Sequence, residues 1–81
     1  MKVKKFYATW CGPCKSLSKV LEDIKTDIPI EEVDIDNDSN AVKTYGIRSV
    51  PTMIMLDDND KEIKRAVGMM KREDAEFWLR N

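Results

Sequence analysis

The sequence predicts an α/β fold, a four-stranded mixed sheet with helices on both faces in the order β-α-β-α-β-β-α. Three observations carry that expectation. A strand pattern, a helix pattern and a second strand pattern follow one another within about 35 residues, the length of a unit that forces a parallel pair with a right-handed crossover. An apolar run at Thr52–Leu56 and a second strand pattern flank a polar turn, which is a hairpin. Lys71 to Arg80 carries a helical pattern without Gly or Pro.

Val3 to Ala8 is short, partly β-branched and aromatic, and ends just before Gly12 and Pro13; it reads as the first strand. From Pro13 onward Leu17, Val20, Leu21 and Ile24 fall at helical spacing, with Lys15, Ser18, Lys19, Glu22 and Lys25 around the stripe. Pro13 suits a first helical turn, where its missing N–H costs nothing. Asp27 and Pro29 mark the exit, and Ile30 to Ile35 reads as the second strand. Asp36 to Asn40 is rich in capping residues, and a short helix from Asn40 to Tyr45 closes on Gly46. Ile47 to Pro51 is a connector. Thr52 to Leu56 is a buried strand, Asp57 to Lys61 a polar turn, and Glu62 to Val67 the returning strand. Gly68 breaks it, and Lys71 to Arg80 forms the last helix, with Ala75, Phe77, Trp78 and Leu79 as its apolar face.

Size and composition narrow the function. The 81 residues are 42% apolar and 36% charged, enough for one domain spanning 1–81. Such a chain buries roughly 60–65% of its surface, so the core is thin. Fourteen basic against fifteen acidic residues give a net charge of −1, which draws the chain neither to nucleic acid nor to an anionic membrane. The apolar run Met53–Leu56 is far shorter than the about 20 residues of a membrane span. There is no histidine, which removes histidine triads and the commonest metal ligand. The two cysteines are too few for a secreted disulfide framework. No apolar stretch follows the basic Met1–Lys5 start, so the expectation is a cytoplasmic, reducing setting; a monomer is expected as well.

The stretch that carries chemistry is Trp10-Cys11-Gly12-Pro13-Cys14-Lys15, between a predicted strand and a predicted helix. Two cysteines three apart at a helix start share one turn, with Cα atoms roughly 5–6 Å apart, a span a disulfide bridges without moving the backbone. Cys11 precedes the first turn, where unpaired N–H groups and the helix dipole favour a thiolate, so it is the expected nucleophile. Cys14, inside the turn, is the expected resolving thiol. Trp10 can shield the site, Gly12 admits a substrate backbone and Pro13 stiffens the loop. A structural zinc site would need four ligands, and the chain offers no further Cys and no His, which leaves only a site shared between two copies.

WCGPCK resembles the active site of thioredoxins. Tyr45-Gly46-Ile47-Arg48-Ser49-Val50-Pro51-Thr52 is similar to that family's YGIRxxPT segment, and Val67-Gly68 to its valine-glycine before the last helix. The resemblance runs from Lys5 to Leu79. It implies the thioredoxin fold in a minimal form, and a protein disulfide oxidoreductase that uses a reversible Cys11–Cys14 disulfide. It implies protein disulfides as substrates, a thioredoxin reductase or other dithiol donor as partner, and no cofactor or metal. It also implies that Pro51 is cis, leaving the backbone at Val50 free to pair with a substrate strand. Trp10, Gly12, Pro13, Val50, Pro51, Val67 and Gly68 would rim Cys11. The plain alternatives are a trans turn proline at Pro51, and a mere strand end and turn at Val67 and Gly68.

The departures are specific. The chain starts one strand and one helix later than a full-length thioredoxin, which gives it the size of a glutaredoxin. Where thioredoxins place a buried Asp six residues before the first Cys stands Lys5, and where they place a Lys on the next strand stands Glu32. The pair reads as a charge-reversed proton relay, with Lys5 favouring a Cys14 thiolate and Glu32 taking up the proton. The alternative is that both reach solvent past a smaller domain edge. Tyr7 replaces a Trp, and Lys19 replaces a helix-kinking Pro, so a straighter helix is expected. Lys2, Lys4 and Lys5 read as a solvated strand start. Met69 and Met70 sit where the groove rim would be, though Met is commonly a packing filler.

Two other functions remain open from the sequence. A glutathione-dependent glutaredoxin fits the length, but the loop is Gly-Pro and no Gly-Gly pair follows the last strand. A thioredoxin-like binding subunit with incidental redox activity would keep its function without either cysteine.

Overall fold

The computed structural model describes residues 1–80. Its elements are β1 (Lys2–Tyr7), α1 (Gly12–Glu22), β2 (Ile30–Asp34), α2 (Ser39–Tyr45), β3 (Thr52–Leu56), β4 (Glu62–Val67) and α3 (Arg72–Arg80). The sheet order is β2-β1-β3-β4. β1 pairs parallel with β2, with Lys5 opposite Glu32, and antiparallel with β3, with Lys5 opposite Met53. β3 and β4 form the hairpin.

The pleat sends alternate residues of the central strands to opposite layers. Val3, Met53 and Met55 pack with Leu17 of α1 and Leu79 of α3 on one face, and Ile24, Met70 and Trp78 seal the margin. Phe6, Val33, Ile54 and Leu56 form the other layer, against Ala41 and Tyr45 of α2. Every residue of β3 is buried, which is why its apolar run shows no alternation. Helices therefore cover both faces of a four-stranded mixed sheet, the thioredoxin fold.

The boundaries differ from the sequence expectation by a residue or two at element ends, where capping decides. Asp38 caps α2, its side chain accepting from Ala41 N–H at 3.0 Å, so the helix begins at Ser39. Gly46 ends it in the left-handed conformation at φ 62°. α1 stops at Glu22, and Ile24 N–H then bonds the Leu21 carbonyl at 3.1 Å in a tighter turn, which still delivers Ile24 to the core. In α3, Ala75, Trp78 and Leu79 share the inward stripe, whereas Phe77 lies on the outer side and is exposed. A helix advances about 100° per residue, so position 77 is far around the axis from both 75 and 79.

The basic run of β1 is not a solvated strand start. Lys4 reaches across to Glu31 at 2.9 Å, and Lys5 lies inside the core. The hydrogen bond to Glu31 raises the Lys4 pKa above 10.5 and holds that of Glu31 below 4.5.

Candidate functional site

The site is built where two central strands end. β1 ends at Tyr7 and the chain turns through Ala8 and Trp10 into α1, with Cys11 N–H bonding the Ala8 carbonyl at 3.2 Å. Cys11 is the N-cap of α1, in extended conformation, and Pro13 stands in the first turn. The cap side chain is a sulfur rather than a hydroxyl or carboxylate: Cys11 Sγ accepts from Cys14 N–H at 3.1 Å. Cys11 and Cys14 form a disulfide with Cα atoms 5.3 Å apart. Both are buried, at 5% and 2% exposure, so the step from strand to helix does not leave Cys11 much more open than its partner in the oxidised state. What separates the two sulfurs is position. Cys11 Sγ faces the unpaired N–H groups of the helix start, and Cys14 lies within the turn.

The second wall comes from the connector before β3. The Val50–Pro51 peptide bond is cis. Cys11 Sγ lies 3.8 Å from the Val50 carbonyl oxygen, and Pro51 is buried. Thr52 Oγ1 donates to the Ser49 carbonyl at 2.8 Å and Gly68 N–H to the Pro51 carbonyl at 2.8 Å. Gly68 takes φ 95°, a conformation open to glycine. The end of β4 is thereby tied to the proline segment, with Val67 opposite Thr52 in the ladder and largely exposed.

Trp10 and Val50 meet in a cavity of about 330 Å³ with Ile35, Val42, Ile47, Arg48 and Ser49. Trp10 is 68% exposed, and its indole N–H donates to Asp36 at 3.0 Å. A Cβ added at Gly12 would meet nothing within 4 Å, so this stretch of helix start faces open space. The structure thus brings Trp10, Gly12, Pro13, Val50 and Pro51 around the disulfide, and joins Gly68 through the Pro51 carbonyl. Val67 shares the ladder with Thr52 and lines neither this cavity nor the one beside Cys14.

On the far side of Cys14 lies a larger cavity of about 480 Å³, whose lining includes Cys14, Ser18, Lys19, Glu22 and Glu32. Lys5, 1% exposed, donates to Glu32 Oε1 at 3.0 Å and to Ser18 Oγ. Sequence reasoning missed two residues here. Asp36 orients Trp10, and Ser18 holds Lys5. Ser18 is four residues after Cys14 and so on the same helix face, a spacing visible in the sequence once Lys5 is known to point inward.

Among the described residues no three His, Cys, Asp or Glu side chains gather as metal ligands, and no helix is long and apolar enough to cross a membrane.

Comparison with known proteins agrees with this arrangement. The family model described as Thioredoxin matches residues 2–81. A thioredoxin of Chlamydia trachomatis serovar D is 41% identical over 71 residues, which is 84% of this chain and 69% of that protein. A thioredoxin of Mycobacterium tuberculosis H37Rv is 39% identical over 67 residues, 78% of this chain and 57% of that protein. A mutant thioredoxin from Halobacterium salinarum superposes with a TM-score of 0.86 at 30% identity, covering 95% of this chain and 69% of that one. Reduced Schistosoma mansoni thioredoxin pre-protein gives 0.85 at 30% identity, over 96% of this chain and 74% of that one.

Proposed function

The chain belongs to the thioredoxin family and is a thiol–disulfide oxidoreductase, and from that premise we propose how its residues divide the reaction. Cys11 is the attacking sulfur. The observation that carries this is its place at the N-cap of α1, where Sγ accepts the Cys14 N–H at 3.1 Å. In the reduced protein the same N–H and the helix dipole stabilise a thiolate at that atom.

The Cys11 thiolate attacks one sulfur of a substrate disulfide. A Cys11–substrate bond forms, the substrate S–S bond breaks, and the electron pair leaves on the second substrate sulfur. Cys14 then attacks Cys11 Sγ, closing the Cys11–Cys14 disulfide and releasing the first substrate sulfur as a thiolate. A dithiol donor, a thioredoxin reductase or its equivalent, returns two electrons and restores the pair. The substrates are protein disulfides held in an extended segment along Trp10, Gly12, Pro13, Val50, Pro51, Val67 and Gly68, with the Val50 backbone as its pairing partner. The proximity of Cys11 Sγ to the Val50 carbonyl supports that placement. The 81 residues work as one domain, a monomeric electron carrier of the cytoplasm that needs no cofactor or metal.

A trapping experiment tests the division of labour. A Cys14→Ser chain mixed with a disulfide-bonded protein is expected to accumulate a mixed disulfide at Cys11, whereas Cys11→Ser accumulates none. An adduct on Cys14, or equal alkylation rates of the two thiols near neutral pH, would overturn the assignment. Turnover at least tenfold faster with a thioredoxin reductase than with glutathione is expected; the reverse order would make the protein glutaredoxin-like.

A further inference from the structure

The cavity on the far side of Cys14 shares no lining residue with the one formed by Trp10 and Val50. One wall is a stripe of α1. Lys15, Ser18, Lys19 and Glu22 follow one another at the three- and four-residue steps that put side chains on a single helix face. The opposite wall is the sheet, with Tyr7 of β1 and Glu32 of β2. β2 is the outer strand on this side, so among the described residues no further strand closes the space. Its volume of about 480 Å³ falls within the roughly 300–1,000 Å³ of small-molecule sites.

The walls carry both signs of charge. Lys15 and Lys19 are exposed one helical turn apart, and among the described residues neither ammonium has a hydrogen-bond or ion-pair partner. Glu22 is likewise exposed and unpaired. Glu32 is anchored: the buried Lys5 donates to its Oε1 at 3.0 Å, while the side chain stays 55% exposed. Lys5 also donates to Ser18 Oγ, which leaves the Ser18 hydroxyl proton free to donate. That link sets Glu32 across from the middle of the stripe, with Lys15 beside Cys14 at one end and Glu22 at the other. Length narrows the ligand further. From Lys15 to Glu22 the helix rises about 10 Å, and an extended chain of three residues spans about 10 Å as well.

We propose that the cavity beside Cys14 binds a short peptide with free ends, about three residues long, its terminal carboxylate on Lys15 and Lys19 and its ammonium on Glu32 and Glu22. The Ser18 hydroxyl donates to a peptide carbonyl, and Tyr7 and Ala8 supply the apolar surface under its side chains. Exposed ion pairs contribute little each, so binding is in the millimolar range. Because the two cavities have no residue in common, the peptide leaves the groove of Trp10, Val50 and Pro51 open to a disulfide substrate. The site does not depend on which cysteine attacks first.

Trialanine is the probe. It is titrated into the oxidised, ¹⁵N-labelled chain at neutral pH and low salt, up to about 50 mM, and amide shifts are followed by NMR. The shifts are expected to saturate and to cluster at Ser18, Lys19, Glu22 and Glu32, with the Trp10 indole and Val50 unmoved. Blocking one end, as N-acetyl-trialanine or trialanine amide, should weaken binding at least threefold, and so should shortening the probe to free alanine, which cannot reach both sets of charges. A chain with Lys15→Met and Lys19→Met should bind trialanine and its amide equally. Both lysines are exposed and unpaired, so that variant keeps the fold even if Glu32→Gln does not. Glu32→Gln with Glu22→Gln should bind trialanine and its N-acetyl form equally. Shifts that fail to saturate, shifts centred on Trp10 and Val50, equal affinity for free and blocked peptides, or a lysine variant that still prefers the free carboxylate would each overturn the proposal.

Discussion

At the scale of the residue, the buried Lys5 is where the chain departs most from what an apolar layer asks for. Its hydrogen bonds to Ser18 and Glu32 leave no buried side-chain polar atom unpartnered among the described residues. Pairing does not make the arrangement stabilising, because desolvation of the buried ammonium offsets its attraction to a carboxylate that stays largely in water. Lys5→Met, similar in length and apolar, is therefore expected to hold or raise stability by about 0–3 kcal/mol in urea unfolding. Glu32→Ala, which strips the ammonium of its carboxylate, should lower it by about 1–3 kcal/mol. If Lys5→Met proved the more damaging of the two, the charge would be structural. Asp36 poses a milder case at the rim. Its bond to the Trp10 indole lies at the surface, so Asp36→Ala should cost under about 1 kcal/mol. It should still lower kcat/KM for protein disulfides, because the indole loses its fixed orientation; an unchanged kcat/KM would remove Trp10 from the groove.

At the scale of the elements, α2 is the shortest helix, with seven residues and no fully buried side chain of its own. A helix so short persists through its ends and through tertiary contact. Asp38→Ala removes the bond to Ala41 N–H and should cost about 1 kcal/mol. Gly46→Ala forces a side chain into φ 62° and should cost about 1–2 kcal/mol. Both would be read from urea midpoints. Loss at either position should loosen the layer around Phe6 and Tyr45, whose rings lie 5.8 Å apart.

Element type was legible throughout, because the helices carry their 3.6-residue period and the strands are short apolar or β-branched runs bounded by turn residues. Lys5 was not, for a physical reason. β1 lies between two strands and is covered on both faces, so Val3, Lys5 and Tyr7 on one side and Lys4 and Phe6 on the other mix polar with apolar, and no alternation shows which lysine turns inward. The cysteine pair was legible from spacing alone. Ser18 and Asp36 were not, since each is defined by a partner on a different element.

Taken as a whole, the molecule carries its ion pairs near the surface except Lys5–Glu32, whose ammonium is buried, and for the surface pairs whose titration shifts, the pH dependence follows from the direction of each shift. Hydrogen bonds from Lys4 and Arg65 hold the Glu31 and Glu62 carboxyls below 4.5. Each folded pKa is depressed, so the stability it contributes is present above 4.5 and is lost as pH falls through the lowered value. Lys4 is raised above 10.5 by Glu31, so its contribution is present below 10.5 and is lost as pH rises through the raised value. These groups are solvated, and each pair is worth a few tenths of a kcal/mol, up to about 1. Stability should therefore be nearly flat from about pH 6 to 9 and fall gently below 4.5, with a slope that weakens in added salt. A steep, salt-insensitive acid transition would point instead to a buried carboxylate.

The sheet order places β2 and β4 on its outer rims. One rim bears Glu31, Glu32 and Asp34, the other Glu62, Lys64 and Arg65. A foreign chain that tried to lengthen the sheet would have to bring its own backbone up beside those charges. Molecules of this kind should accordingly stay dispersed when concentrated and resist stacking into fibrils.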